Sequence, residues 1–561
     1  MSITTDFRHR GAEMDKNREY DGKQFFTVRD ILEEAVNAVP DRDAYQFRIG
    51  RSDEIRHVTY YEFNEDTENL GAALTERGFG RSHIACMSEN RYEWIVAFLT
   101  VLKSAGVFVP VDKELPTADK LNVLTESEAE VLFFSSRYVK WVRENKEKLP
   151  GIRLFVCFDE QGADSGMETL GSLIRYGATL SRSEYDSLQS DEYELKLLVY
   201  TSGTTGIAKG VMLTEHNICS LVYYGFEITE IYDKGLSVLP YHHTYEAVTD
   251  IIPSIRFHST LCINASLKDI VKDMQLFQPS YIYIVPALAE FLITSIQKNI
   301  KKQGKEKVFQ AAVLMSKRFR KIGIDMRPYL FQSLRNVFGG RMRKIICGGA
   351  PIRPELGEFF DTIGIYLVGG YGITECSPLV SVNDEKTITY DTVGHRLGCL
   401  DWRIDSPNEE GIGEICVKGD TVMLGYYKKP EETAKAIIDG WFYTGDYGYI
   451  DKKDQLVITG RKKNIIVLNN GKNVYPEEIE GYIMNIPYVQ EVVVRGEKNE
   501  KGEEYTLSAE LYLSEDKDPG IVLEDIQKQL AELPNYKVVT SVKLRNDPFP
   551  KTSSNKIKRN A

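Results

Sequence analysis

Between Tyr200 and Gly210 the chain reads Tyr-Thr-Ser-Gly-Thr-Thr-Gly-Ile-Ala-Lys-Gly. Residues of these types, this close together, suit the holding of a polyanion. Gly203, Gly206 and Gly210 let the backbone turn tightly, so that successive N–H groups converge on one anion. The hydroxyls of Thr201, Ser202, Thr204 and Thr205 add donors, and Lys209 adds positive charge. The Gly-x4-Gly-Lys-Ser/Thr spacing of a Walker loop does not occur here. A flexible surface loop has the same composition, so the stretch decides nothing alone.

Four further stretches have chemistry-bearing composition. Gly348-Gly349-Ala350-Pro351 follows the apolar pair Ile345-Ile346, and a glycine turn there lets a flat ring lie against bare backbone; a plain strand-to-helix turn reads the same way. Gly369-Gly370-Tyr371-Gly372-Ile373-Thr374-Glu375 places an aromatic ring between glycines, where an exposed face suits stacking. Thr374 and Glu375 then set a hydroxyl beside a carboxylate, suited to a phosphate oxygen and its magnesium. Trp441-Phe442-Tyr443-Thr444-Gly445-Asp446 with the later Arg461 offers either a salt bridge or a fork for ribose hydroxyls. Pro550-Lys551-Thr552-Ser553-Ser554-Asn555-Lys556 ends in a lysine, as a solvated tail also does.

The elements that carry these stretches are legible in outline. Leu197-Leu198-Val199 reads as a short buried strand entering the first turn. Thr27-x-x-Asp30 opens an amphipathic helix over 27–39, and Thr59-x-x-Glu62 opens another through Leu74. A strand at Ile84–Met87, a helix over Glu93–Lys103 and strands at Gly106–Val111, Val131–Ser135 and Leu154–Phe158 follow. That rhythm predicts an α/β sheet with parallel strands. After residue 400 come short strands between glycine turns, at Gly413–Gly419 and Gln455–Gly460. Beyond Arg461 a compact α+β unit is expected, with helices over Pro476–Met484 and Leu523–Leu533 and strands at Val489–Arg495 and Leu507–Leu513.

Composition limits the classes of function. At 561 residues the chain exceeds one core, and its net charge of −12 argues against general nucleic-acid binding. The eight scattered cysteines include no Cys-x-x-Cys pair and suit buried thiols in a reducing cytosol. No secretory signal is apparent, and no apolar run approaches the roughly 20 residues that span a bilayer, so a soluble, cytoplasmic protein is expected. Residues 298–344 depart from the acidic whole, with fourteen Lys or Arg against Glu306 and Asp325. Val308, Ala311, Ala312, Met315 and Phe319 are interleaved there at helical spacing. A solvated helix face accounts for this, as does peripheral contact with anionic lipid or with substrate phosphates.

Together and in this order, the five stretches resemble the adenylate-forming superfamily of acyl-CoA synthetases, nonribosomal adenylation domains and luciferases, from about Thr27 to Lys556. The resemblance implies an α/β fold. A large multi-lobed N-terminal domain (1–461) of sheets flanked by helices, with a β-barrel-like lobe, would precede a small mobile α+β domain (462–561). It makes Thr201, Ser202, Gly203, Thr204, Thr205, Gly206 and Lys209 the phosphate loop, and Gly349, Ala350 and Pro351 the adenine-facing segment. Tyr371, with Gly372 after it, becomes the ring-stacking tyrosine, Thr374 the α-phosphate contact and Glu375 the magnesium ligand. Asp446 and Arg461 become the ribose pair, Lys463 the hinge, Gly471 part of the thiol channel and Lys556 the lysine bridging carboxylate and α-phosphate. Asn555 stands where members commonly carry glycine, and asparagine tolerates positive φ. Pro240-Tyr241-His242-His243 matches a Pro-x-x-His segment that sets His243 beside the acyl pocket.

The implied reaction activates a carboxylic acid with ATP and magnesium to an acyl-adenylate, then transfers the acyl group to coenzyme A. Amino-acid-activating relatives usually carry Phe-Asp-x-Ser where this chain has His243-Thr244-Tyr245-Glu246, which argues against an amino acid. The basic insertion and the run Asn470–Glu480 resemble long-chain fatty acyl-CoA synthetases, so a medium-to-long fatty acid is expected. A fatty acyl-AMP ligase, an acyl-carrier-protein synthetase and an inactive nucleotide-binding protein stand as alternatives. The sequence is silent on oligomeric state.

Overall fold

The computed structural model describes residues 22–50, 52–160, 167–188, 190–201, 208–385, 387–468, 472–498, 505–551 and 557–559. The chain forms two compact units, Met1–Asp401 with Lys418–Ile437, and Trp402–Val417 with Ile438–Ala561. The boundary expected after Arg461 falls inside the second unit, where the strand Leu456–Arg461 ends.

The first unit contains two sheets. In the eight-stranded one, His83–Met87 lies between Val107–Pro110 and Val131–Phe134, parallel to both, and Leu154–Cys157 continues the parallel set. Val107–Pro110 and Val131–Phe134 are buried at every position, as strands covered on both faces must be. The crossover helix Tyr92–Leu102 is itself buried from Trp94 to Leu102. On the other flank Leu195–Thr201 turns back as Lys209–Thr214, antiparallel, and Gly425–Tyr426 adds the last strand beyond it.

The nine-stranded sheet has a parallel centre: Tyr366–Gly372, Lys344–Cys347, Tyr281–Ile284, Lys234–Ser237 and Thr260–Ile263 lie side by side in that order. Leu379–Val382 and Ile55–Thr59 run antiparallel toward its two edges. Helices pack on these sheets by capped, amphipathic faces. Thr59 and Glu62 form a reciprocal capping box at the start of Tyr60–Glu76. The helix Val28–Ala38 is capped by the Thr27 hydroxyl, and its first N–H donates to Glu215 Oε1 at 2.7 Å.

Two elements differ from their sequence reading. In the helix Glu306–Lys321 the packed face consists of Phe309, Ala312 and Val313, with Ser316 buried among them. Val308, Ala311 and Met315 face solvent instead. Phe309 sets this rotation, because its ring packs at 5.8 Å from Phe331 and 6.4 Å from Phe359. In the second unit the last helix runs Pro519–Gln529 rather than 523–533. Asp518 starts it early by accepting from the N–H groups of Gly520 and Ile521, with proline at the first position.

That second unit holds an antiparallel sheet in which Trp441–Ile450 pairs with both Gly413–Gly419 and Leu456–Arg461. Farther on, Val489–Lys498, Tyr505–Leu513 and Val539–Arg545 form a three-stranded sheet under the helices Pro476–Ile483 and Pro519–Gln529, around Ile479, Val522 and Leu511. All eight cysteines are free, and only Cys399 is less than fully buried. Among the described residues no helix is long and apolar enough to cross a membrane.

The strand Lys344–Cys347 starts from a fully buried ammonium. Lys344 Nζ donates to Thr229 Oγ1 at 2.8 Å, to the Glu230 carbonyl and to Glu385. Burial favours the neutral carboxyl at Glu385, yet the Lys344 charge prevails and holds it below its ordinary range. Glu385→Gln would strand that ammonium without a counter-charge and should lower stability by about 3–5 kcal/mol in urea unfolding, without changing secondary-structure content.

Candidate functional site

The phosphate-loop hairpin is anchored at its two ends. Thr201 and Lys209 are paired residues of the antiparallel ladder, and the residues from Ser202 to Ile207 lie outside the described structure. Ser202, Gly203, Thr204, Thr205 and Gly206 are among them. Lys209 Nζ sits 2.7 Å from Glu432 Oε2 and 4.9 Å from the centroid of the Tyr426 ring. Lys435 also reaches Glu432, at 3.0 Å, and hydrogen bonds from Lys209 and Lys435 pull the Glu432 carboxyl down to about 2. Lys429 donates to the Ala208 carbonyl at 3.0 Å, which fixes the exit of the loop.

Tyr426 also faces the second motif. Its hydroxyl donates to Glu375 Oε1 at 2.9 Å, while the Glu375 carbonyl accepts from Met423 N at 2.9 Å. Thr374 and Glu375 occupy a single 3-10 turn, half-buried, directly after the strand Tyr366–Gly372. The glycine before that turn is a steric requirement, since a Cβ on Gly372 would stand 1.8 Å from the Pro378 carbonyl oxygen. Tyr371 departs from the expected exposure: it is only 9% exposed, more covered than its flanking glycines suggest. Strand pairing is the reason, because Tyr371 lies opposite Ser381 of the covering strand Leu379–Val382.

Gly349, Ala350 and Pro351 are exposed and follow the central strand Lys344–Cys347. Gly349 has φ +82°, which an L side chain rarely adopts, and its nearest neighbour to a built Cβ is Val285 at 3.7 Å. This is open, flat backbone. Beneath it Tyr245 donates its hydroxyl to the Ile346 carbonyl at 3.3 Å. Tyr245 belongs to the short helix Thr244–Glu246 that His243 caps, half-buried, with its ring 4.3 Å from that of His242. Glu246 holds this segment from below by accepting from Ser237 Oγ at 2.5 Å. Burial and the nearby Asp250 push the Glu246 carboxyl well up, and burial pushes Asp250 to about 8.

In the second unit Asp446 and Arg461 are cross-strand partners, with Arg461 Nε 2.7 Å from Asp446 Oδ1. The carboxylate is buried and the guanidinium is 44% exposed. Gly445, at φ +71°, donates to Glu414 Oε1 at 3.2 Å, and Lys462 reaches Glu414 Oε2 at 2.5 Å. Lys463 lies on the exposed 3-10 turn Lys462–Asn464; burial and Arg461 lower its ammonium. Gly471 and Lys556 lie outside the described residues. On either side of Lys556 the chain is pinned, by a bridge between Lys551 and Ile557 and by Lys551 Nζ at 2.7 Å from Glu491.

The first unit thus brings Lys209, Thr374 and Glu375 to one place around Tyr426, and the second brings Asp446 to Arg461. Tyr426 and Glu432 stand in none of the sequence motifs, and Glu414 and Tyr245 enter the sequence reading only as members of longer runs. Pro430-Glu431-Glu432 signals a helix start, but nothing local ties it to Lys209. A single carboxylate set beside phosphate oxygens and water is the usual magnesium environment, and Glu375, oriented by Tyr426, fits it. Among the described residues no group of three or more His, Cys, Asp or Glu forms a denser cage.

Residues 32–427 match the family model described as AMP-binding enzyme. Over 439 residues the chain is 30% identical to the long-chain-fatty-acid–CoA ligase FadD15 of Mycobacterium bovis, covering 74% of this chain and 71% of that one. It is 28% identical to long-chain-fatty-acid–CoA ligase 5 of Mus musculus over 475 residues, 78% of this chain and 69% of the other. In three dimensions it is similar to the A-PCP didomain of carboxylic acid reductase from Segniliparus rugosus, solved with AMP. The TM-score is 0.78 at 21% identity, covering 97% of this chain and 81% of that chain.

The buried His242 gives the acyl-side loop a pH signature. Burial and the adjacent His243 outweigh Asp112, 3.5 Å away, and lower its imidazole from the ordinary 6.5 to about 3. The unfolded chain therefore takes up a proton below pH 6.5 that the folded chain refuses until about pH 3, so stability falls with pH across that window. His242→Asn should remove about 2 kcal/mol of the stability lost between pH 7 and pH 5, read as the difference between two urea-unfolding series.

Proposed function

The chain belongs to the family of AMP-binding enzymes, and we propose that it is an AMP-forming acid–thiol ligase acting on a medium-to-long-chain fatty acid. The carboxylate attacks the α-phosphorus of ATP, the bond to the leaving pyrophosphate breaks, and an acyl-adenylate forms. The sulfur of coenzyme A then attacks the acyl carbonyl, its proton is released, and AMP leaves. The observation that carries this reading is the meeting of Lys209 and Glu375 on two sides of Tyr426. A cation at the exit of the loop and a carboxylate suited to magnesium thus share one aromatic ring, as phosphates and their metal would require. The fatty acid is supported by similarity to ligases whose names specify long-chain fatty acids.

Neither step needs a protein nucleophile, so catalysis rests on positioning and charge neutralisation. Lys209 and the hydroxyl of Thr201 hold the phosphates that depart as pyrophosphate. Bare backbone at Gly349–Pro351 receives the adenine, and Tyr371 supports it. Asp446 accepts from the ribose hydroxyls while Arg461 fixes the carboxylate. Thr374 meets the α-phosphate, and Glu375 holds magnesium, whose charge, when bound, offsets that of the phosphates. His243 borders the acyl group. Lys556 neutralises carboxylate and α-phosphate in the first step, and Gly471 serves the thiol in the second, with Lys463 as the hinge between them.

We also assign a lipid contact to the basic segment, consistent with a cytoplasmic protein peripheral to a membrane. Val308, Leu314, Ile322 and Tyr329 are each at least 60% exposed amid lysines and arginines, a composition that suits anionic headgroups. The doubly substituted Leu314→Asp/Met315→Asp protein should no longer sediment with phosphatidylglycerol vesicles, whereas the unaltered protein should sediment with these and not with phosphatidylcholine.

Two measurements test the reaction. A panel of carboxylic acids assayed for AMP release should show a fatty-acid preference and a requirement for coenzyme A; release without coenzyme A would point to a different acceptor. Lys556→Ala should reduce fatty-acid-dependent ATP–pyrophosphate exchange by more than about a hundredfold and leave thioester formation from added acyl-adenylate largely intact. Equal loss of both would refute the division of labour between Lys556 and Gly471.

A further inference from the structure

Tyr426 stands outside every motif that suggested the function, yet its side chain contacts both Lys209 and Glu375. Its strand, Gly425–Tyr426, pairs with Lys209–Thr214 so that Tyr426 lies opposite Val211. This register places its ring face 4.9 Å from Lys209 Nζ and its hydroxyl 2.9 Å from Glu375 Oε1. The side chain is 9% exposed and its amide donates to Thr433 Oγ1 at 2.8 Å, so the helix Pro430–Ala436 fixes it from behind. Gly425 permits that packing: a Cβ there would fall 2.6 Å from Thr433 Cγ2.

On the reading proposed above, we infer that Tyr426 is a positioning residue that sets the Glu375 carboxylate for the metal of the bound nucleotide and aligns Lys209 with the same phosphates. The two contacts use separate parts of the side chain. The π face attracts the ammonium, and the hydroxyl hydrogen occupies one lone pair of the carboxylate, which turns the carboxyl plane. Burial and the Glu375 charge raise the phenol far above its ordinary range, so the hydroxyl stays a donor at any working pH. Glu432 completes the arrangement by holding the same ammonium at 2.7 Å.

Tyr426→Phe separates the two contacts, because phenylalanine keeps the ring and removes only the donor. The test is calorimetric titration of the full chain with an ATP analogue carrying a methylene between its α- and β-phosphorus atoms, with and without magnesium, and separately with AMP. The Kd of the analogue with magnesium should rise roughly tenfold in the variant, as expected for loss of a hydrogen bond to a charged group. Binding of AMP, which needs neither the metal nor Lys209, should stay within about twofold on that account. Tyr426→Leu, which also removes the ring, should further weaken the analogue in the absence of magnesium. Unchanged magnesium-dependent binding in Tyr426→Phe, or an equal loss for AMP, would overturn the inference. Failure of the unaltered protein to bind the analogue would instead overturn the enzymatic reading on which it rests.

Discussion

The ammonium of Lys209 is the fixed point of the first unit's chemistry. A lysine at the end of a hairpin has four rotatable bonds and reaches many places; here a carboxylate and an aromatic face hold it from two directions. Because Lys209 is also the ladder partner of Thr201, the hairpin closes on a defined cation. On the proposed reading, phosphates would meet a charge whose position is set before they arrive. The ordering entropy of that side chain is then already lost in the free protein, which is what preorganisation means for an electrostatic site.

The parallel centre of the nine-stranded sheet does similar work on a larger scale. Lys234–Ser237, Tyr281–Ile284 and Lys344–Cys347 are parallel neighbours, so the segments leaving their carboxyl ends emerge side by side. Those segments are the loop toward His243, the turn at Val285 and the glycines Gly348 and Gly349. Open α/β sheets bind ligands at this edge. The Tyr245 hydroxyl on the Ile346 carbonyl, and Glu246 on Ser237, tie the histidine segment to two of the three strands. The strand ends thus carry the open backbone at Gly349 and the histidine segment on one rigid support.

Local features were legible in the sequence, and tertiary ones were not. The Thr59/Glu62 capping box depends on residues three apart and formed as read. Asp446 and Arg461 were paired correctly because one hairpin joins them. The parallel strands from His83 to Cys157 followed from buried runs alternating with a helix. By contrast, Lys209 and Glu432 are 223 positions apart, and their meeting depends on which strand closes the sheet, an order that composition does not encode. The helix Glu306–Lys321 carries apolar residues around much of its circumference. Its buried face was decided by Phe331 and Phe359, which lie outside it. Tyr371 is more buried than its flanking glycines suggest for a related reason: the pairing with Leu379–Val382 decides which side of the strand is covered.

A protein that would make an acyl-adenylate for a thiol acceptor faces a side reaction, attack of its own cysteine thiolates on the acyl carbonyl with AMP leaving. Seven of the eight cysteines here are buried and the eighth is partly so. Burial raises the thiols of Cys86, Cys219, Cys262 and Cys347, and thiolate, the species that reacts, is correspondingly scarce. Hiding the sulfurs in the sheets therefore does more than fill the core. It leaves the chain poorly disposed to acylate itself, so the activated acyl group would be kept for the incoming thiol.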